Sequence, residues 1–358
     1  MSGRPSPVTD AHHAGGPVGS PSSAANGAVS VETSGRLHLG FLDPSATLGR
    51  RFGSIGMMID DAITTVRLAF AEVPRIGAAP QALHELERTG KIITRLQRAT
   101  GRLESLDVQV SDALPAHKGL GSGTQLAMAL GRAFADLHGL QLSTAAIARL
   151  LTRGNRSGIG IAGFDLGGFL VDGGSSREGA AASDVPPLLA RFDFPGDWRM
   201  VLVQDSANSG LHGEGERAGL ACLPEFPRHH AAHLCHLVLM QILPGLAARD
   251  FVLFARGLTE LQGVVGEYFA PVQGGVFSSP RVGTLMGWIG EHHVAAVGQS
   301  SWGPTSFAIL PSHEQALHVL SSAKSAGMID AGLDVKIVAG KNRGAVVSHE
   351  AGFDRIDD

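Results

Sequence analysis

The chain holds 358 residues, 48 of them glycine, about 13% where globular proteins carry about 7%. With 44% apolar and 17% charged residues and a formal net charge of −4, it reads as a packed chain, neither disordered nor collagen-like, and its 29 Lys+Arg against 33 Asp+Glu offer no basic stripe for nucleic acid. Two cysteines are too few for a disulfide framework, and no apolar run approaches the roughly 18 residues of a membrane span, so a cytoplasmic protein without nucleic-acid or membrane partners is expected.

In chain order, residues 1–30 are Ser, Pro, Gly, Ala and His with almost no large apolar side chains, which predicts a disordered tail. Residues 54–70 read as strand with a turn at Asp60 and Asp61, 84–100 as helix, and the alternating Leu106, Val108 and Val110 as strand stopped by Pro115. Leu126, Leu130, Phe134 and Leu137 then recur at helical spacing, predicting a helix over 122–138 closed by Gly139, with a short helix at 144–152 behind it. A glycine-rich stretch, 154–174, ends in a buried strand at 168–172. The small polar run 174–187 is the expected boundary between a domain of residues 31–187 and one of 188–358. In the second half, strands are predicted at 199–204, 306–310 and 335–339, and helices at 231–243, 250–268, 282–292 and 313–327, an α+β pattern.

The strongest chemical signal is Pro115-Ala-His-Lys-Gly-Leu-Gly-Ser-Gly-Thr-Gln125, a glycine turn between strand and helix. Glycines admit positive φ and close approach of an anion, and the free N–H groups and dipole of the helix favour phosphate. Lys118, Gly119, Gly121, Ser122, Gly123 and Thr124 are therefore candidates for phosphate or pyrophosphate. The spacing is neither a Walker A loop nor a dinucleotide fingerprint. Arg36 and His38, the pair Arg50 and Arg51, and Arg153, Arg156 and Asp165 form two further polar clusters among glycines, suited to carboxylate, phosphate or hydroxyl recognition. A fourth segment, Gln299-Ser-Ser-Trp302, offers a ring wall or a piece of core. His229, His233 and His236 share a helical face, but no carboxylate joins them there, which argues against a metal site.

The order of these motifs resembles the GHMP kinase superfamily. Their wording, Gly35-Arg-Leu-His-Leu-Gly-Phe41, Leu48-Gly-Arg-Arg-Phe-Gly-Ser-Ile-Gly56, Gly119-Leu-Gly-Ser-Gly-Thr-Gln125, Arg156-Ser-Gly-Ile-Gly160 and Gly298-Gln-Ser-Ser-Trp-Gly-Pro304, is similar to the β-ribofuranosylaminobenzene 5′-phosphate synthases within it. That resemblance runs from about Val31 to Ala345. It implies a two-domain α+β fold, a ribosomal S5 domain 2-like N-terminal domain followed by a ferredoxin-like C-terminal domain. It also implies condensation of 4-aminobenzoate or 4-hydroxybenzoate with phosphoribosyl pyrophosphate in tetrahydromethanopterin biosynthesis, releasing carbon dioxide and pyrophosphate, with magnesium and a homodimer as family expectations. Under it, Arg36, His38, Arg51, Arg153 and Arg156 face the ribose phosphate and the benzoate carboxylate, Lys118 to Thr124 hold pyrophosphate, and Gln299, Ser300, Ser301 and Trp302 line the substrate pocket. Ser122, Thr124 and Asp165 are the metal candidates. Gln299 to Trp302 stand where the kinases carry a glycine-dense third motif, which counts against ATP. An ATP-dependent kinase and a catalytically silent phosphate-ligand sensor are the competing readings.

Overall fold

The computed structural model describes residues 27–176, 185–208 and 213–350. Its first half contains β1 (Ala28–Asp43), β2 (Arg50–Phe70), β3 (Arg75–Ala78), α1 (Leu86–Thr100), β4 (Leu106–Asp112), α2 (Ser122–Leu137), α3 (Thr144–Leu150), α4 (Ile159–Leu166), β5 (Phe169–Asp172) and β6 (Ser175–Ser176). There follow β7 (Leu188–Phe192), β8 (Arg199–Asp205), α5 (Gly213–Cys222), α6 (Arg228–Leu237), α7 (Leu243–Ala248), α8 (Phe251–Gln273), α9 (Pro280–His292), β9 (Ala296–Gln299), β10 (Ser306–Leu310), α10 (His313–Ser325), β11 (Leu333–Val338) and β12 (Val346–Glu350).

One sheet runs β12-β1-β2-β4-β3, with β5 and β6 also on β2 and β7 on β5. On one face, Val31, Val66, Leu68, Val108 and Val110 meet Ile93 and Leu96 of α1 and Leu126, Leu130 and Phe134 of α2, so the helical spacing of α2 is the spacing of its buried stripe. The second sheet, β11-β8-β10-β9, is antiparallel, with its strands in the order fourth, first, third, second, as in ferredoxin-like units. Both of its faces are covered. Met200, Leu202, Phe307 and Ile309 join one core, while Val201, Val203, Ala308 and Leu310 meet α9 and α10, which is why β8 and β10 read as unbroken apolar runs. The first of these cores also takes in Leu37, Ile55 and Met57 from the first sheet and Phe254, Leu258 and Leu261 from α8, so the two halves are fused.

Several expectations are corrected. Strand β1 begins at Ala28, inside the expected tail, because Val29 and Val31 bury against α1 and α2; the rest of that tail, residues 1–26, lies outside the described residues. At Asp60 and Asp61 strand β2 does not turn: Met58 pairs with Arg36 and Ile63 with Ser34, so the intervening residues bulge. The bulge is held by Asp60, whose N–H donates to Ala339 O at 3.0 Å and whose carboxylate accepts from Ala339 N at 2.7 Å. The boundary at residue 187 is crossed by β7 and β12, which belong to the first sheet. The glycine-rich stretch 154–174 also contains a helix that was not expected, α4. Finally, a run that is long and apolar enough to cross a membrane does exist, Arg228–Ala248. It buries Leu234, Leu237, Ile242 and Leu246 against Phe254 and Leu258, the arrangement of a core helix.

Candidate functional site

Three distant segments meet at the start of α2. Gly119 and Gly121 take positive φ of 76° and 81°, turning the chain so that α2 starts without a side-chain cap. The Gly119 carbonyl accepts from Arg36 Nη1 at 2.7 Å and from Ser300 Oγ at 2.7 Å. Ser300 Oγ also accepts from His38 N at 3.0 Å, while Ser301 N donates to His38 O at 3.1 Å. Thr305 Oγ1 donates to Lys118 O at 2.5 Å, and Lys118 Nζ reaches Asn208 O at 3.5 Å. The fit at Gly119 is close: a Cβ there would lie 2.6 Å from Ser300 O. Arg36, His38, Lys118, Gly119, Gly121 and Ser300 are thus brought together as the sequence reading expected.

The first turn of α2 presents Ser122, Gly123 and Thr124. Gln125 fixes its orientation by accepting from Thr33 Oγ1 at 2.6 Å and donating to Gly160 O at 2.9 Å, which holds the starts of α2 and α4 side by side. Guanidinium groups surround this turn. The Arg36 side chain covers Gly121, and at Gly123 a Cβ would stand 3.7 Å from Arg153 Nη1 and 3.9 Å from Arg88 Nη1. Burial, then the Arg88 and Arg95 charges, push the Arg153 guanidinium below its ordinary value, opposed only by Glu85. Glu85 is buried, holds Arg88 Nη1 at 2.6 Å through one oxygen, and is raised above the usual carboxylate range by that burial. Arg88 and Arg153, either side of one buried carboxylate and facing a helix N-terminus, make a place for an anion. Arg88 and Arg95 were not singled out from sequence. For Arg88 the signal is its i+3 spacing from Glu85, legible only once that side of the helix is known to face α2.

Beside the loop lies a narrow cavity lined by His38, Gly40, Phe41, Gln262, Val265, Phe269, Gln299, Ser301 and Trp302. Its walls are rings: His38 and Phe41 meet edge to face at 4.5 Å, and Phe269 and Trp302 lie 4.7 Å apart. Trp302 is both core and wall, since it is buried in a cluster with Phe41, Phe52 and Phe269. The His38 imidazole is 3% exposed, and its Nε2 has no partner. Burial, reinforced by the Arg36 charge, pushes it down to about 3, and a hydrogen bond to its own backbone offsets this only in part. Burial thus keeps the ring neutral at ordinary pH.

Other expected residues fall elsewhere. Asp165 is exposed near the far end of α4 and accepts from Thr144 Oγ1 at 2.6 Å, so its carboxylate ties α3 to α4 instead of joining the glycine loop at the start of α2. The buried carboxylate of that region is Asp172 on β5, overlooked as a strand end. It accepts from Gly158 N and Gly174 N at 2.9 Å and from the Ser54 and Ser157 hydroxyls, which lock the turn before α4, while burial raises it above the usual carboxylate range. Arg51 donates to Pro44 O at 2.9 Å and covers the Phe52 ring. It lines a separate groove with Pro44, Leu223 and Tyr268, on the other side of the Phe41–Phe52 pair from His38. Arg156 is half-buried in the turn before α4. His233 meets a carboxylate after all, Glu260 of α8 at 2.7 Å, but among the described residues no three His, Cys, Asp or Glu groups converge as a metal site.

The family models for the GHMP kinases N-terminal domain and the GHMP kinases C-terminal domain match residues 87–172 and 242–328. A β-ribofuranosylphenol 5′-phosphate synthase from Archaeoglobus fulgidus is 34% identical over 292 residues, 79% of this chain and 88% of that protein. One of the same name from Methanothermobacter thermautotrophicus is 29% identical over 78% and 88%. Among solved structures, a homoserine kinase from Cytophaga hutchinsonii has a TM-score of 0.62 at 15% identity, covering 93% of this chain and 100% of its own. A mevalonate diphosphate decarboxylase from Staphylococcus aureus has 0.62 at 16%, covering 90% and 98%; both likenesses concern the fold alone.

Proposed function

Because the chain belongs to the β-ribofuranosylphenol 5′-phosphate synthase family, a branch of the GHMP kinase fold, we propose that it joins a para-substituted benzoate to phosphoribosyl pyrophosphate. The products are a C-riboside 5′-phosphate, carbon dioxide and pyrophosphate, the first serving tetrahydromethanopterin biosynthesis. The name of the relatives favours 4-hydroxybenzoate over 4-aminobenzoate.

The observation that carries this reading is the junction itself: an arginine-flanked helix N-terminus beside a small cavity walled by rings and amides. Departure of pyrophosphate leaves oxocarbenium character at the anomeric carbon, and the ring attacks through the carbon bearing the carboxylate. Loss of carbon dioxide restores aromaticity, so no base is needed at that carbon. What the reaction demands is positioning and electrostatics. In this reading the N–H groups of 122–124, with Arg36, Arg88, Lys118 and Arg153, hold the phosphates. Among the described residues, those around α2 supply hydroxyls and cations and no carboxylate cluster, a donor set unsuited to a resident divalent ion. Magnesium would then enter with the pyrophosphate, as its counter-ion. A phosphorylated sugar does not cross a bilayer unaided, which keeps the reaction in the cytoplasm, and sedimentation equilibrium tests the homodimer.

Purified protein with magnesium, phosphoribosyl pyrophosphate and each benzoate decides the matter. Release of carbon dioxide and pyrophosphate in equal amounts is expected; release of neither, with either benzoate, refutes the proposal. ATP consumption with a small alcohol would instead support the kinase.

A further inference from the structure

The geometry points to a positioning role for a buried carboxylate that the reaction itself does not use: we propose that Glu85 holds the Arg88 guanidinium against the start of α2, so that Arg88 and Arg153 meet the pyrophosphate as an ordered pair. This rests on the phosphate reading of the 119–124 loop and adds the residue that sets its arginines.

Three observations carry it. First, among the described residues the Glu85 carboxylate has one hydrogen bond, and that bond goes to Arg88. The side chain is 1% exposed. Its Oε1 accepts from Arg88 Nη1 at 2.6 Å, His84 Nε2 stands 3.7 Å away, beyond hydrogen-bond reach, and Oε2 is buried without a partner. A carboxylate in that state costs stability that an apolar side chain of similar length would not, so packing alone does not account for it. Residues that break a packing rule in this way concentrate where a chain binds or reacts.

Second, the bond lies at the site. Glu85 ends the short helical turn Pro80–Glu85 and precedes α1, so Arg88 follows it one turn later on the same side. The nitrogen that Glu85 holds, Arg88 Nη1, is the one that would stand 3.9 Å from a Cβ on Gly123, and Arg153 brings Nη1 and Nη2 to the same spot, at 3.7 and 3.9 Å. Gly123 is the second residue of α2, so both guanidinium groups converge on the turn whose N–H groups have no partner within the helix.

Third, the charges need a carboxylate there. Burial, then the Arg88 and Arg95 charges, lower Arg153, and Glu85 alone raises it. Burial in turn raises Glu85, opposed by the charges of Arg88, His84 and Arg153, the mutual response of one carboxylate serving both arginines. The Arg153 side chain has no hydrogen bond or ion pair among the described residues, so Glu85 anchors one arginine and offsets the charge of the pair, which stays net positive toward an arriving anion. An arginine already held at its Nη1 edge has less rotamer freedom to lose when the anion binds.

The test separates the bond from the charge. Glu85→Gln and Glu85→Met remove the same charge at similar length, but only the glutamine keeps an oxygen for Arg88 Nη1. Pyrophosphate affinity is measured by calorimetry on the full chain, wild type first. Glu85→Met is expected to bind about 10-fold more weakly than Glu85→Gln, the ordering cost of one long side chain. In an Arg88→Met background the same two substitutions should differ by less than about threefold, because the arginine they act through is gone. Equal affinities of Glu85→Gln and Glu85→Met, or a difference that survives without Arg88, overturn the proposal, and so does a change in Tm with no change in affinity. Wild-type protein that binds no pyrophosphate overturns the phosphate reading itself, and the proposal with it. Should Glu85→Met not fold, Glu85→Asp, which keeps the charge and withdraws it by one methylene, is compared with wild type. Binding weaker by about threefold or more is then expected, and unchanged affinity overturns the proposal.

Discussion

Replacement of Gly119 by Ala tests whether the junction of the three segments sets the geometry of the reaction. At φ 76° an alanine costs about 1–2 kcal/mol in backbone strain alone. Its Cβ would lie 2.6 Å from Ser300 O and 3.1 Å from Gly303 O, both backbone atoms, so the 299–305 loop must withdraw by several tenths of an ångström. That movement stretches the bond from Ser300 to the Gly119 carbonyl, a neutral one contributing about 0.5–1.5 kcal/mol, while the bond from Arg36 of β1 stays. The strain and the weakened bond together cost about 1.5–3.5 kcal/mol of stability, and where the retreat of the loop separates the reacting groups, displacement by about 1 Å lowers turnover about 100-fold. Gly139→Ala is the control, because Gly139 also has positive φ, 63°, but a Cβ there meets nothing within 4 Å. Pyrophosphate release measures turnover, and calorimetry measures stability. A Gly119→Ala enzyme that matches Gly139→Ala in Tm and keeps wild-type kcat would refute the reasoning.

Three more outcomes are expected. Arg153→Met weakens pyrophosphate binding, read by calorimetry, about 10-fold or more, without lowering Tm in ligand-free buffer, since it removes a buried charge crowded by Arg88 and Arg95; unchanged affinity excludes Arg153 from the phosphate site. Asp165→Asn leaves turnover within about threefold of wild type, because the side chain serves Thr144; a 100-fold loss would return it to the chemistry. His38 is neutral in the folded chain down to about pH 3 and protonates near 6.5 when unfolded, so the unfolded state binds the extra proton in between. Its contribution is therefore intact above pH 6.5 and falls by up to about 1.4 kcal/mol per unit as pH drops below it. Chemical denaturation between pH 7 and 5 should show a shallower loss for His38→Phe than for wild type, and parallel curves would contradict the burial argument.

The elements that sequence revealed are those whose own side chains fill a core. Phe307 and Ile309 on one face and Ala308 and Leu310 on the other gave β10 without help from its neighbours, as did the Leu126, Leu130 and Phe134 stripe of α2. Strands β3 and β12 escaped because half-exposed residues such as Arg75, Ile76 and Val346 are strand only by pairing, with β4 and with β1. The same division holds at the site. Gly119, Gly121 and His38 announce themselves through local motifs, whereas Arg88 sits on an ordinary helix and reaches Gly123 only through tertiary folding. Asp165 was selected for its nearness in sequence to glycines and arginines, yet α4 carries it away from the anion loop, and Asp172 takes the buried position.

The pairing of β12 with β1 sets Ala28 opposite Glu350, nearly the full length of the described chain apart. The sheet beside the 119–123 glycine loop is therefore unfinished until β12 has been synthesised, and the contact of Ser300 with Gly119 also waits for most of the second half. Non-local pairing of this kind slows folding and leaves strand edges uncovered on the nascent chain. The first sheet is thus one late-closing unit, its strand β1 left with an open edge until β12 arrives.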